Sequence, residues 1–238
     1  MSALRFRPLP GLTIFMLVMT AILVWLGTWQ LQRLKWKEAL IATVSGHMLA
    51  APISLDEVQR LSADEAQYRR VALSGHFDNS KEAYVFTTGA GGDPVYHVLT
   101  PFITDDGATL MVDRGEIPQG KLAPQSRDAL AGETRVVGVW RVPDAPGFFT
   151  PKPDPAKHVW YARDLAGIAV ADGVKLAAPV VIEADATPNP GGWPKGGQTV
   201  VDFPNNHLSY AMTWFGLAAG LIGVYFAYHI SKGRLRWS

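Results

Sequence analysis

Cysteine is absent from this 238-residue chain, and its absence removes several kinds of chemistry. Disulfides, thiolate nucleophiles, zinc sites built on cysteine and copper transfer through thiols are all excluded. A strong charge of either sign is also missing, because 22 basic and 21 acidic residues leave a net charge of +1. We therefore expect no nucleic-acid partner.

Charge is missing altogether from two stretches, Leu12–Leu31 and Leu208–Tyr228. A helix of about 20 residues crosses the ~30 Å hydrocarbon core of a bilayer, so both stretches are predicted to be transmembrane helices. Arg5 and Arg7 precede the first stretch as they would in a signal peptide. Its apolar run is longer than that of a signal peptide and no A-x-A cleavage pattern follows, so we expect an uncleaved anchor.

The two spans predict a division into five parts. Residues 1–11 and 229–238 are tails, residues 12–31 and 208–228 are the spans, and residues 32–207 form one folded domain. The cations after the second span favour a cytoplasmic C-terminus, and two spans then place the N-terminus on the same side; these cations are Lys232, Arg234 and Arg236.

Three cations just beyond the first span oppose this orientation, and they outnumber the two that precede it: Arg33, Lys35 and Lys37. We give the second span more weight, which makes the domain extracytoplasmic. The segment before the first span is too short for an organellar transit peptide. The expected location is therefore a bacterial inner membrane, with the domain in the periplasm.

The domain contains short segments rich in β-branched and aromatic residues, separated by turn residues. Six of them predict strands: "RRVALSGHF", "EAYVFT", "VYHVLTPFIT", "TLMVDRGEIP", "TRVVGVWRV" and "APVVIEA". Consecutive short strands would leave open edges, so we predict a mainly antiparallel sheet closed into a barrel-like structure.

Short helices are predicted beside these strands. Ser54 with Glu57 and Ser62 with Glu65 fit capping boxes, and "HVWYARDLAGIAV" fits a helix before the last strand. The first span keeps a helical apolar spacing as far as Met48, so its helix is expected to continue beyond the membrane until Pro52 ends it.

No catalytic constellation emerges from the domain, and we expect a protein that is not an enzyme. The glycines of "TGAGGDP" favour a hairpin loop over a phosphate site. Asp113 beside Arg114, at the end of a predicted strand, favours a solvated or ion-paired role. The domain histidines lack metal-ligand spacing and are expected to be ordinary polar residues: His47, His76, His97 and His158.

The second span has two different faces. At 100° per residue, the face of His207 carries Ala211, Trp214, Ala218, Leu221 and Tyr225, with Tyr210 and Tyr228 at its margin. The opposite face carries small residues, including Gly216, Gly220 and Gly223. The G-x-x-x-G spacing lets another helix approach closely, and that helix is either the first span or part of another subunit.

The first span presents Trp25, Trp29 and Arg33 on one face. An interfacial aromatic belt with a snorkelling arginine explains these residues, and a helix cap or a headgroup contact explains His207. The alternative is that these residues form one ligand site, because Arg33 and His207 are expected at the same depth, near the outer membrane surface. An imidazole for iron, a guanidinium for a propionate and flat rings for the macrocycle suit a haem.

Several blocks of sequence resemble the Surfeit locus protein 1 family of cytochrome oxidase assembly factors. They are "LGTWQLQRLKWKEALI", "MVDRGEIP", "GGWP" and "NNHLSYAMTWFGLA", in the order of the family. Glu116 departs from the pattern, because the family usually has an aromatic residue there. The resemblance implies an accessory role in building haem–copper oxidases, with haem a as a transient cofactor.

The resemblance also implies partners and one ligand. The expected partners are the catalytic subunit of the oxidase and haem a synthase, besides the lipid bilayer. His207 matches the histidine proposed as the iron ligand. The remaining site residues are predicted from their depth in the membrane and from the helix face on which they lie, not from the family: Arg33, Trp29, Gln30, Tyr210 and Trp214.

If the glycine face packs on the first span, His207 and Arg33 cannot enclose one haem within a single chain. A scaffold that binds no cofactor is the alternative.

Overall fold

The computed structural model describes residues 4–89, 91–199 and 203–237. Ala90, in the predicted "TGAGGDP" loop, lies outside the described residues. The chain divides into two compact units, a helical one made of Met1–Thr43 with Asp202–Ser238 and a β unit made of Val44–Val201. The α-helices are α1 (Pro10–Leu49), α2 (Leu55–Gln59), α3 (Ala63–Ala66), α4 (Leu165–Ala171) and α5 (His207–Ser231). The strands are β1 (Leu4–Phe6), β2 (Arg70–Phe77), β3 (Ala83–Thr88), β4 (Pro94–Thr104), β5 (Thr109–Pro118), β6 (Thr134–Arg141), β7 (Val159–Trp160), β8 (Val181–Ala184) and β9 (Leu235–Trp237).

Two helices, α1 and α5, are long and apolar enough to cross a membrane. Only 11% and 17% of their most apolar windows are buried within the chain, so they are not core helices of a soluble domain. The first continues without a break to Leu49, which confirms the predicted extension toward Pro52. The predicted membrane protein with two spans flanking a mainly antiparallel β domain is confirmed.

The two spans pack through the histidine face of α5. Its buried residues Ala211, Ala218 and Tyr225 follow the predicted stripe, and His229 extends it. On α1 the ring of Phe215 packs against Gly27, and a Cβ added there would lie 2.6 Å from the edge of the ring, so a larger residue would require the ring to move. By contrast, an added Cβ at any of the three glycines of the opposite face meets nothing within 4 Å: Gly216, Gly220 and Gly223. The glycine face therefore does not pack on the first span.

Strands β1 and β9 form a two-stranded antiparallel ribbon beyond the ends of the spans. Arg5 pairs with Arg236 and Phe6 with Leu235. The Phe6 ring lies 5.5 Å from that of His229 and 6.4 Å from that of Tyr225. Because an isolated two-stranded ribbon is only marginally stable, these aromatic contacts on α5 support it.

The β unit is a closed sheet. Strands β2, β6, β8, β5 and β4 are hydrogen-bonded in that order, and a further β2–β4 pairing closes the circle. Strand β4 makes closure possible because its first half pairs with β3 while Phe102–Thr104 pair with β2. Most pairings are antiparallel, whereas β5–β8 and β3–β7 are parallel. The interior is apolar and includes Leu73, Phe102, Leu110, Val112 and Ile182.

The short helices follow the predictions only in part. Both capping boxes are present, at Ser54 with Glu57 and at Ser62 with Glu65. The helix predicted over "HVWYARDLAGIAV" is wrong in its first half, since Val159–Trp160 is a strand parallel to β3 that buries the indole of Trp160. Helix α4 begins only after Asp164, whose carboxylate accepts a hydrogen bond from the Gly167 amide and caps the helix.

Candidate functional site

The predicted site residues His207 and Gln30 are in direct contact. His207 is the first residue of α5, and Gln30 lies on α1 one turn beyond the Gly27–Phe215 contact. Nδ1 of His207 lies 2.8 Å from Oε1 of Gln30. An amide oxygen can only accept, so Nδ1 carries the proton and donates. The other ring nitrogen, Nε2, then bears the lone pair, and within the described ranges it has no hydrogen-bond partner.

Other polar atoms near His207 also lack partners in the described structure. The indole Nε1 of Trp214 and the amide Oδ1 of Asn205 are buried without a hydrogen bond. Trp214 lies two turns along α5 on the face of His207, and Asn205 lies two residues before it. A buried polar atom without a partner costs free energy unless a ligand or water satisfies it. This end of the helix pair therefore combines the imidazole lone pair with two buried polar atoms that no hydrogen bond compensates in the described structure.

The remaining predicted residues form no hydrogen bond or ring contact with His207 in the described structure. Arg33 is exposed and its guanidinium lies 4.4 Å from the ring centroid of Trp36. The rings of Trp29 and Tyr210 are 44% and 56% exposed. Two of these residues still share a helix face with the His207–Gln30 pair. Arg33 lies one turn beyond Gln30 on α1, and Tyr210 lies one turn beyond His207 on α5. Exposed rings and an exposed guanidinium suit the edge of a flat ligand.

The β unit contains a buried ionic cluster around Asp113. This residue lies within β5, not at its end, and only 2% of its side chain is exposed. His97 Nδ1 lies 2.9 Å from Oδ2 of Asp113, and Arg163 Nη2 donates to the same oxygen at 2.8 Å. Burial raises the pKa of the Asp113 carboxyl, but the His97 hydrogen bond and the charges of His97 and Arg163 outweigh it, so the pKa lies below its ordinary value. The ion-paired role predicted for Asp113 is confirmed, and the solvated one is wrong.

A second buried cluster surrounds Arg114. The guanidinium donates to Glu82 at 3.2 Å and to Asn79 at 3.1 Å, and it stacks 4.7 Å from the centroid of Phe77. Arg127 donates to the other oxygen of Glu82 at 2.6 Å and to the Tyr84 hydroxyl at 3.1 Å. Burial and the adjacent carboxylate raise the pKa of Tyr84 to about 12. One carboxylate thus holds two arginines, so the cluster is structural and depends on Glu82.

Two of the resembling blocks, "MVDRGEIP" and "GGWP", meet in space: Trp193 packs against the cluster that contains Ile117, and the residue after "GGWP", Lys195, pairs with Glu116. Glu116 and Lys195 exchange backbone hydrogen bonds of 3.0 and 2.9 Å. Gly115 has φ +112°, and a Cβ there would fall on the carbonyl oxygen of Lys195, 1.9 Å away. The glycine of "DRG" is therefore required by the chain that passes over it. The other two blocks meet through Gln30 and His207, so the four blocks form two spatial pairs.

Sequence reasoning missed three polar groupings. The partners Glu82 and Arg127 are 45 residues apart, and Asp113 and Arg163 are 50 apart, so no local spacing relates them. His229 was also missed: its Nδ1–H donates to the Tyr225 carbonyl at 2.8 Å, while Tyr225 and Thr13 join their hydroxyls at 2.7 Å. The one available signal was the position of His229 on the buried stripe of α5.

The fold and the His207–Gln30 contact define the class as a two-span membrane protein whose spans flank a closed β domain in sequence. The SURF1 family matches residues 17–219, and the chain belongs to this family. It is 37% identical to Surfeit locus protein 1 of Mus musculus over 230 residues, which cover 89% of this chain and 74% of the relative. The human protein of the same name is 36% identical over 220 residues, or 84% and 72% of the two chains. That of Takifugu rubripes is 34% identical over 236 residues, or 92% and 97%.

Proposed function

We propose that this protein is an assembly factor for a haem–copper terminal oxidase and that it holds haem a at His207 for insertion into the catalytic subunit. One observation carries the proposal: Gln30 fixes the imidazole through Nδ1 and leaves the Nε2 lone pair free at the start of α5. Metal-bound histidines commonly donate their second ring N–H to an acceptor, which fixes the tautomer and the ring orientation. Gln30 supplies that acceptor.

The neighbouring side chains supply the other contacts that the cofactor needs. Haem a, when bound, would supply an iron that a histidine nitrogen can hold. In the proposed site His207 donates its lone pair, Trp29, Tyr210 and Trp214 present rings to the macrocycle, and Arg33 turns from Trp36 to pair with a propionate. A single protein ligand and half-exposed rings keep the binding reversible, as delivery to another subunit requires.

The proposed setting is a bacterial inner membrane, with both chain ends in the cytoplasm and the β unit in the periplasm. Support comes from the cations that follow α5 and from the apolar lengths of α1 and α5. The proposed partners are the catalytic subunit of the oxidase, which receives the haem, and haem a synthase, which supplies it.

Spectra of the purified protein test the proposal. Wild type and His207→Ala would be expressed in cells that make haem a and purified in mild detergent, with His76→Ala as the control because that imidazole lies on the exposed surface of the β unit. We expect stoichiometric haem a in wild type and control, and lost or shifted absorption in His207→Ala. Unchanged haem in all three would place the ligand elsewhere.

A scaffold that binds no cofactor is the second candidate, and the open glycine face favours it. Gly216, Gly220 and Gly223 leave a smooth helix surface that nothing in the described structure covers within 4 Å. Small residues at this spacing admit a second helix at close range, here one from an oxidase subunit. If the scaffold acts alone, Gly216→Leu abolishes oxidase assembly while His207→Ala leaves it intact, and no haem copurifies with wild type.

A further inference from the structure

The ribbon of β1 and β9, together with the residue next to each strand, carries four arginines in a small area. Arg5 lies directly opposite Arg236, and two positions further along the Arg7 amide donates to the Arg234 carbonyl at 2.8 Å. Residues opposite each other in an antiparallel pair share a face, and so do residues two apart along a strand. The four arginines therefore lie on one face of the ribbon, while Phe6 and Leu235 lie on the other.

No acidic residue balances these charges. Asp and Glu are absent from residues 1–37 and 203–238, and none of the four arginines forms an ion pair in the described structure. Like charges directly opposite each other in a sheet are destabilising. The aromatic contacts of Phe6 hold the ribbon against α5 in spite of this repulsion. An anion bound on the arginine face would offset the electrostatic repulsion between the arginines.

An apolar groove begins beside the ribbon. It has a volume of about 460 Å³ and runs between the spans, lined by Leu12, Phe15, Leu221, Val224, Tyr225 and Tyr228 among others. Tyr225 belongs both to this groove and to the aromatic cluster under Phe6. The groove lies between the ends of α1 and α5 that are next to the ribbon. These ends belong to the spans, so the apolar molecules around the groove are lipid acyl chains.

We propose that this end of the protein binds an anionic phospholipid. Its phosphate lies among Arg5, Arg7, Arg234 and Arg236, and one acyl chain lies in the groove between α1 and α5. Clusters of four or more basic residues next to a span are suited to anionic headgroups. Guanidinium groups bind phosphate through paired hydrogen bonds. The site is independent of His207, which lies at the opposite end of α5.

Native mass spectrometry of the full chain in mild detergent tests the site. The protein would be titrated with phosphatidylglycerol or with phosphatidylcholine of the same acyl chains, and separately with inorganic phosphate. The variant replaces all four ribbon arginines by glutamine. The control replaces four exposed cations elsewhere by glutamine: Lys35, Arg60, Lys152 and Lys175.

We expect tighter binding of phosphatidylglycerol than of phosphatidylcholine. The four-glutamine variant should lose about 600-fold in affinity for phosphatidylglycerol, since each of the four cations at an anionic surface contributes about fivefold. The control variant should keep most of its affinity for phosphatidylglycerol. So should a variant in which lysine replaces each of the four arginines, because the positive charges remain. Equal binding of the two lipids, an unaffected glutamine variant, or equal loss in the lysine variant would overturn the proposal. So would inorganic phosphate that binds as tightly as the lipid, because the ligand would then be a soluble anion.

A second pair of variants tests the groove. Val224 lines it and Met212 lies on α5 outside it, and both side chains are 68% exposed. Val224→Trp should fill the groove and weaken the binding of both lipids, while Met212→Trp should leave it unchanged. If the two variants behave alike, no acyl chain occupies the groove and the proposed site is overturned.

Discussion

Nδ1 of His207 donates a 2.8 Å hydrogen bond to Oε1 of Gln30, which joins the start of α5 to α1 across 177 residues of sequence. The bond fixes both the tautomer and the direction of Nε2. Gln30 is therefore a positioning residue whose effect on any ligand at His207 is separable from that of the imidazole itself.

Replacement of Gln30 by leucine should weaken haem binding without removing the ligand. Loss of a partner of a metal-bound histidine costs about 10- to 100-fold in affinity. The measurement is haem a retained by the purified variant, compared with Gln32→Leu, an exposed glutamine on the same helix. Full retention in Gln30→Leu would contradict the positioning role.

Engineered cysteine pairs should report which faces of the spans meet, and the absence of native cysteine leaves no background. A pair at Gly27 and Phe215 should be joined by a short bifunctional thiol crosslinker, because Gly27 lies against the outer edge of the Phe215 ring and the two positions face each other. Pairs of Gly216 or Gly220 with α1 positions should not crosslink within a chain. Crosslinks from either glycine to α1 would refute the packing described here and the site that depends on it.

Gly115→Ala should destabilise the β unit. The substitution adds strain at φ +112° and a clash with the Lys195 carbonyl, so we expect a loss of more than about 2 kcal/mol. Thermal unfolding of the full chain measures it. Gly120→Ala is the matched control, since an added Cβ there meets nothing within 4 Å; equal stability of the two variants would contradict the prediction.

The spans and most strands could be predicted because their signals are local. Uncharged runs define α1 and α5, and the alternating segments from "RRVALSGHF" to "TRVVGVWRV" became β2 to β6 with bounds that differ by a residue or so. The division of β4 between two partners could not be predicted, because pairing depends on how the barrel closes. The same holds for Gln30 and His207: the face of each helix could be read from the sequence, but the rotation that brings the two residues together depends on contacts between the helices such as that of Gly27 with Phe215.

Acid should weaken the β unit through Asp113. A carboxyl whose pKa is lower in the folded than in the unfolded chain adds stability that is present above the unfolded pKa and is lost as the pH falls through the folded pKa. The melting temperature should therefore begin to fall as the pH drops toward the ordinary aspartate pKa of about 3.9, and should keep falling below it. Asp113→Asn should cost about 3 to 5 kcal/mol at neutral pH, because Arg163 loses its buried partner, and should flatten the acid dependence. Asp144→Asn, at an exposed carboxylate, should do neither.

Alkali should act through Tyr84 in the opposite direction. Its pKa is raised to about 12, so its contribution to stability is present below the unfolded value near ~10 and is lost as the pH rises toward 12. A titration of tyrosinate absorbance in the folded protein should show a late component that Tyr84→Phe removes. Tyr161→Phe, at an exposed ring, should leave that component in place.

The β1–β9 ribbon has a consequence for the order of events during synthesis. Arg7 and Arg234 are 227 residues apart, so the ribbon cannot form until almost the whole chain has left the ribosome and α5 has entered the membrane. The β unit can close earlier, because its strands lie within Val44–Val201. The pairing of β1 with β9 is thus the last step of folding. In a chain whose synthesis stops before α5, β1 has no strand to pair with.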